Sequence, residues 1–404
     1  MRFPWGYRNR NPSEFPYQCN ECTKQRRFRK EADMQKHKRM TTKHNTRRTH
    51  GSLIDEDYSK QIDDRNWVNT RTTYNSFAYA FRELSMRPTT PEMFSWTPEN
   101  LMTNIQNKIE PSREFIDDCN RCVDKLVTYL QSTDERRFRP KRVIKSGSLG
   151  KGTELKERSD IDLVVILRDD NTDIEKQREE AIKYLHGYMD SFPNCKITGG
   201  TRAAKALEVT SDSGNKVAVD ILPTCIDIED TTPDAIYDKM DGDDNFVQTA
   251  SAGLAPLQRD FVKWVPAKTK QLIRVIKYWR KTCLQENKGH RYPTSYPLEL
   301  ITIGQWQHAG SPENFDMRQG LYHVMKSLEN YNNLRLIWNT NYTQNRAKRA
   351  GSCIGHFVID PANPYNNVMD RCDEEAWKDV KRQVGNFLKQ PLFANFIPHG
   401  NWQL

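Results

Sequence analysis

Long apolar runs are missing from this sequence. No window of 18 uninterrupted apolar residues occurs in its 404 residues, so no membrane-spanning helix is expected. The opening stretch, MRFPWGYRNRNPSEFP, lacks the apolar core of a secretory signal. Cysteine is scarce as well: there are nine, an odd number, thinly spread. That argues against a disulfide framework and for reduced thiols in the cytosol or nucleus. Acidic residues are short at one end only. Residues 1–50 hold 14 Lys/Arg against 4 Asp/Glu, a net +10, whereas the whole chain is +9, which leaves residues 51–404 near −1. A basic excess confined to an N-terminal arm fits either a polyanion contact or a solvated tail. No internal repeat is visible. Hydrophobic residues at 36% and aromatics at 10% fit a folded soluble protein, and the length suits two or three domains.

The arm contains YQCNECTKQRRFRKEADMQKHKRMTTKH. Cys19 and Cys22 form a CxxC, Phe28 and Met34 follow at the spacing of a small core, and His37 and His44 close the stretch. It resembles a two-cysteine, two-histidine zinc finger, in which four such ligands make a closed tetrahedral Zn2+ site and so small a unit needs the metal to fold. The gap of 14 residues between the pairs and the six residues between the histidines are both longer than usual, and His50 is an alternative last ligand. The plain alternative is a charged tail with incidental Cys and His.

Residues 51–95 are polar and poorly periodic and are expected to be a linker. Thr97-Pro98-Glu99 looks like a helix start. Over 114–131, Phe115, Cys119, Cys122, Val123, Leu126 and Leu130 recur at helical spacing. Strands and turns are expected to dominate from Arg142 to Asp227, and helices from Pro266 almost to the end.

The most informative stretch is SGSLGKGTELKERSDIDLVVIL, Ser146–Leu167. Read as a strand, SDIDLVVIL puts Asp160, Asp162, Val164 and Ile166 on one face and Ile161, Leu163, Val165 and Leu167 on the other. Two neighbouring carboxylates repel one another unless a cation lies between them. In NKVAVDILP, Asp220 shares a face with Ala218, opposite Val217, Val219 and Ile221. A third carboxylate on an adjacent strand would complete an oxygen pocket for hard divalent ions, and two Mg2+ held there can activate a hydroxyl and steady a leaving pyrophosphate. The alternative is two surface aspartates and an unrelated third. The preceding turn, Gly147 to Thr153, is glycine-rich with Lys151 inside it, as suits a phosphate cradle. It is not a Walker loop, because Gly152 follows the lysine.

A Gly-Ser turn about ten residues before a D-x-D strand resembles the polymerase-β-type nucleotidyltransferase superfamily. Six segments in order, IKSGSLGKGTELKERSDIDLVVIL, VAVDILP, LQRDFVK, KQLIRVIKYW, YPLELITIGQW and IDPANPYNNV, make the chain from about residue 100 similar to the 2′-5′ oligoadenylate synthase family. The resemblance implies an α+β fold: a nucleotidyltransferase core with a mixed sheet (96–265) packed on a C-terminal helical domain (266–404), behind the basic zinc-finger-like arm (1–50) and the linker (51–95). It implies polymerisation of ATP into 2′-5′-linked oligoadenylate with release of pyrophosphate. Asp160, Asp162 and Asp220 match the Mg2+ triad, with Asp220 also helping to deprotonate the acceptor 2′-hydroxyl. Gly147, Ser148 and Lys151 match the phosphate turn, Arg274 and Lys277 a basic pair at the nucleotides, and Tyr296 the aromatic at the adenine. Lys145, Arg259 and Lys263 match contacts to an activating double-stranded RNA, whose binding would shift the population toward an assembled triad. No membrane partner is implied, and the oligomeric state is left open.

The helix pattern can be read without the resemblance. In PAKTKQLIRVIKYWRKTC, Leu272, Ile276 and Trp279 form an apolar stripe, while Lys270, Arg274, Lys277 and Lys281 form a separate basic one. On its own such a stripe is as well explained by a solvated face. The sequence departs from the family pattern at Ala267, where threonine is usual at the RNA face, and at Ser295 and Pro297, where glutamine and alanine are usual beside Tyr296. Two other functions stay open: a cyclic-dinucleotide synthase similar to cyclic GMP-AMP synthase, and a catalytically inactive RNA-binding homologue. The intact aspartates, Ser148 and Lys151 weigh against the second.

Overall fold

A computed structural model describes residues 90–402, apart from 134, 136, 157, 158, 169–172, 202 and 288, together with two short strands nearer the N-terminus. The chain divides into two units, Met1–Asp64 and Arg65–Leu404. In the first, β1 (Tyr17–Gln18) pairs antiparallel with β2 (Arg27–Phe28). Cys19, Cys22, His37, His44 and His50 lie outside the described residues.

The first described elements of the second unit are a 3-10 turn over Glu92–Ser95 and α1 (Leu101–Asn104), which a π-helical turn continues over Ile105–Ile109. The helix starts later than Thr97-Pro98-Glu99 suggests. Asn100 Oδ1 accepts from the Thr97 amide at 2.9 Å, which closes a turn over Pro98–Asn100 first. Met93, Trp96, Leu101, Ile105 and Ile109 are all buried, and they pack with the C-terminal helices rather than with the sheet.

Helix α2 (Arg113–Gln131) follows, capped by Ser112 Oγ on the Phe115 amide. This is the helix that the 114–131 periodicity predicts. Next come β3 (Pro140–Lys145), a five-residue helix α3 (Gly147–Lys151), β4 (Ser159–Leu167), α4 (Ile174–Met189), β5 (Cys195–Gly200), β6 (Lys205–Thr210) and β7 (Lys216–Thr224). The sheet order is β3-β4-β7-β6-β5; β4 and β7 run parallel and the other pairs antiparallel. Helix α4 stands in a region expected to be mainly strands and turns. With Asp173 as cap, it fully buries Ala181, Leu185 and Met189 and packs Tyr184 and Tyr188 beside them, but its first two turns, IEKQREE, are mostly charged and hide the helical period.

Alternation along β4 and β7 gives the sheet two unlike faces. Ile161, Leu163, Val165, Leu167, Val217, Val219 and Ile221 point into a core shared with Cys119, Val123, Leu126 and Leu130 of α2 and with the apolar edge of α4. Each such fully buried side chain contributes roughly 1.5–3 kcal/mol. The opposite face holds a small cluster, Ile144, Val164, Ile166, Ala204, Leu222 and Ala255, and beyond it the aspartates.

The chain then becomes helical: α5 (Pro233–Met240), α6 (Asp244–Ala250), α7 (Ala255–Lys263), α8 (Ala267–Thr282), α9 (Ser295–His308) and α10 (Met317–Glu329). A three-stranded sheet interrupts it, built from β8 (Arg335–Leu336), β9 (Phe357–Asp360) and β10 (Asn363–Asn367), with α11 (Gln344–Arg349) between β8 and β9. Helix α12 (Glu374–Phe387) completes the set. Leu272, Ile276 and Trp279, the expected apolar stripe of α8, are each fully buried in the helical core.

Candidate active site

The register of two strands sets the site. Asp162 of β4 pairs with Asp220 of β7, and Asp160 pairs with Ala218, one step along the same face. In-register residues on parallel strands point to the same side, so the two pairings put three carboxylates at one end of one sheet face. Asp160 is exposed; Asp162 and Asp220 are half-buried. Ser148 Oγ lies 2.5 Å from Asp160 Oδ1 and 3.0 Å from its carbonyl oxygen, so the hydroxyl holds that carboxylate against α3. Among the described residues no three Asp, Glu, His or Cys side chains stand close enough to hold one ion. The backbone therefore aligns the aspartates without drawing the three carboxylates into one cage. As a donor set, three carboxylates at one end of a sheet face suit a hard divalent cation such as Mg2+.

The expected glycine-rich turn is the short helix α3 laid on the aspartate strand. The Ser146 amide donates to the Asp162 carbonyl at 2.7 Å. Gly147 has φ +69°, and a Cβ there would sit 2.7 Å from the Asp162 amide nitrogen and 2.8 Å from Ile161 Cα. Both the left-handed backbone and the close approach demand glycine. Gly152, φ +73°, ends the helix as its left-handed cap.

The expected nucleotide-binding cations form a second group. Lys151 Nζ donates to Glu299 Oε2 at 2.9 Å and lies 4.3 Å from the Tyr296 ring centre. Lys277 Nζ donates to the Thr153 carbonyl at 2.9 Å and lies 3.5 Å from Glu299 Oε1, which also accepts from Thr153 Oγ1 at 3.0 Å. Glu299 is 2% exposed. Burial alone would raise its pKa, but Lys151 and Lys277 outweigh burial and hold it below the usual carboxylate range. Arg274 reaches the Gly152 carbonyl at 2.8 Å and the Glu154 carbonyl at 3.0 Å, with its Nη2 3.4 Å from Glu154 Oε1. Arg274, Lys277 and Lys151 thus fasten the end of α3 to the helical layer. Tyr296 donates through its hydroxyl to Asp360 Oδ1 at 3.1 Å, and Gln258 Nε2 donates to Asp360 Oδ2 at 2.6 Å. Burial, then the Asp360 charge, push the Tyr296 phenol well above its ordinary pKa.

A third group lies behind the turn. Lys145, Arg259 and Lys263 line one concavity of about 700 Å³, together with Arg142, Lys270 and the Gly150–Gly152 end of α3. Lys145 pairs with Asp124, Arg259 Nε with Asp260 Oδ1 at 2.7 Å, and Lys263 is exposed. One end of α3 touches the aspartate strand while the other lines this basic concavity.

Glu299, Asp360, Glu154 and Gln258 were not singled out from the sequence. The available signal was a lone carboxylate inside an otherwise apolar helix, SYPLELITIGQW, which must be paired if that helix is buried.

A Gly-Ser turn packed on a mixed sheet, with aspartates aligned on neighbouring strands and a helical layer fastened to the turn, defines a nucleotidyltransferase of the polymerase-β type. Comparisons with known proteins agree. Residues 123–240 match the family model described as nucleotidyltransferase domain, and residues 236–404 the one described as 2′-5′-oligoadenylate synthetase 1, domain 2, C-terminus. The chain is 26% identical to rat 2′-5′-oligoadenylate synthase 2 over 75% of its own length and 45% of that protein. It is 27% identical to rat 2′-5′-oligoadenylate synthase 1A over 74% of its length and 92% of that protein, and 25% identical to mouse 2′-5′-oligoadenylate synthase-like protein 2, over 78% and 68%. It thus spans less than half of one of these relatives and most of another. Among solved structures, E. coli CdnC with ATP shares the fold at TM-score 0.52 and 22% identity, over 72% of this chain and 90% of that one. The chain thus carries a nucleotidyltransferase domain and, over most of its length, is similar to the 2′-5′-oligoadenylate synthases.

Among the described residues no helix is long and apolar enough to cross a membrane.

Proposed function

We propose that this protein joins ATP into 2′-5′-linked oligoadenylate when double-stranded RNA is bound. The observation that carries the reading is the register of Asp162 with Asp220, one step from Asp160, beneath a Gly-Ser turn whose backbone lies on the same strand. In the reaction an acceptor 2′-oxygen attacks the α-phosphorus of ATP, the bond to the β-phosphate bridging oxygen breaks, and pyrophosphate leaves with that oxygen. The acceptor proton goes to a carboxylate, and Asp220 is the candidate. Asp160, Asp162 and Asp220 would hold divalent magnesium, which supplies charge neutralisation for the triphosphate and a more acidic hydroxyl. Ser148 fixes the Asp160 carboxylate, and Gly147 lets the turn lie close enough for that bond. Tyr296, clamped by Asp360 and overlaid by Lys151, offers an aromatic surface for a base.

The basic concavity suits duplex RNA, which proteins recognise by shape, phosphates and 2′-hydroxyls. Because its floor is the far end of α3, RNA bound there would bear on the turn that positions Asp160 and so favour the state with all three carboxylates together. The N-terminal Cys19, Cys22, His37 and His44 would hold a structural Zn2+ and add a second basic contact; stoichiometric zinc in the purified protein is the expectation. Its place would be the cytosol or nucleus, where nine scattered cysteines stay reduced.

The test is to incubate the protein with ATP and magnesium, with and without duplex RNA, and digest the product with linkage-specific nucleases. Linear 2′-5′ product formed only with RNA is expected. A cyclic dinucleotide, or 3′-5′ product, contradicts the reading.

A further inference from the structure

Among the described residues one tryptophan does not behave like the others. Trp96, Trp279, Trp306, Trp338, Trp377 and Trp402 are each at most 9% exposed, whereas Trp264 is 81% exposed. Trp264 caps the C-terminal end of α7, its amide donating to the Asp260 carbonyl at 3.1 Å. Residues four apart share a helix face. Asp260 lines the basic concavity, so Trp264 stands one turn beyond it, about 5.4 Å along the helix axis. The neighbouring side chains account for the core without it. Phe261 packs edge-on against Trp338 at 5.1 Å, Val262 is fully buried and Val265 packs against the helical core. At 81% exposure most of the indole surface stays in water and adds little burial energy to this fold. In sequence it directly follows exposed Lys263 and precedes half-buried Lys268 and Lys270 at the start of α8.

We propose that Trp264 is a stacking platform for an unpaired nucleotide at the end of the RNA held by the basic concavity; this rests on the RNA face proposed above. The surrounding lysines favour a polyanion as occupant. Within a duplex both faces of each base are covered by its neighbours, so a flat ring has nothing to stack on there. A base in a single-stranded overhang has a free face, and indole stacks on it whatever the base. The partner is therefore a duplex carrying a single-stranded end, gripped through phosphates at Lys145, Arg259 and Lys263 and read at its end by Trp264.

The test compares Trp264→Ala and Trp264→Phe with the parent full-length protein. Binding by fluorescence anisotropy and half-activating concentration are read for a blunt duplex and for the same duplex with a short overhang. Trp264→Ala should weaken the overhang RNA about tenfold and leave the blunt duplex within about twofold, while Trp264→Phe retains most of the overhang preference. Equal loss on both RNAs would mean that the indole meets the duplex itself, and no change on either that it meets no RNA; each overturns the proposal. Arg259→Ala with Lys263→Ala should weaken both RNAs alike. If that double variant changes neither, the RNA face itself is wrong and the stacking proposal falls with it.

Discussion

Two sets of cations that look alike in the sequence live under different constraints. Lys151, Arg274 and Lys277 are spent inside the molecule, on Glu299, Glu154 and the carbonyls of Gly152 to Glu154. Lys145, Arg259 and Lys263 sit around an open concavity; their acid partners are the surface residues Asp124 and Asp260, and Arg259 also donates to the Lys145 carbonyl at 3.3 Å. A buried ammonium must have its carboxylate or leave, whereas a surface pair contributes about 0–1 kcal/mol. The first set therefore holds the turn in place, and the second is available to a partner. Helix α8 shows the division within one element. Its basic stripe, Lys270, Arg274, Lys277 and Lys281, reads as one face, yet Lys277 is 6% exposed while Lys270 reaches the concavity.

Removing the anchor of the buried set should have the larger effect on stability. Glu299→Gln keeps the shape but leaves Lys151 and Lys277 without their carboxylate, and should cost about 3–5 kcal/mol in denaturant unfolding. The pH dependence follows the same logic. The folded-state pKa of Glu299 is held below its ordinary value, so its contribution is present above the unfolded carboxylate pKa and is lost as pH falls through the folded one. The parent protein should lose stability on acidification in that window, and Glu299→Gln should lose less. Equal acid sensitivity of the two proteins would show that the lysines do not depend on Glu299.

The smallest effect on stability is expected at Lys263→Ala, within about 0.5 kcal/mol of the parent. Its RNA affinity should nonetheless fall, and the slope of log affinity against log salt should shrink by about 0.9 for the lost phosphate contact. A stability loss as large as that of Glu299→Gln would erase the distinction between the two sets.

What could be read from the sequence follows from the range of each interaction. The alternation in SDIDLVVIL and KVAVDIL is local, and both strands, with their apolar and acidic faces, stand as expected. So does the helix over 113–131, whose apolar face is wide. Helix α4 was hidden because its fully buried edge, Ala181, Leu185 and Met189, is narrow, and its first two turns, IEKQREE, are mostly charged. The partners of the cations were hidden for another reason. Lys151 and Glu299 are 148 residues apart, and no local period reports a contact that long. The glycine at 147 was legible as a turn residue, but its purpose, room for the backbone of β4 where a Cβ would come within 2.7 Å of it, appears only once the strand lies beneath it.

The central claim is that Asp220, set beside Asp162 by strand register, does chemistry rather than holding the fold or the RNA. The most direct test is Asp220→Asn in the full-length protein, assayed for RNA-dependent nucleotide transfer from ATP with magnesium and, separately, for duplex-RNA affinity. The account predicts transfer reduced by more than about a thousandfold with RNA affinity within about twofold of the parent. Transfer retained within about tenfold of the parent would contradict it.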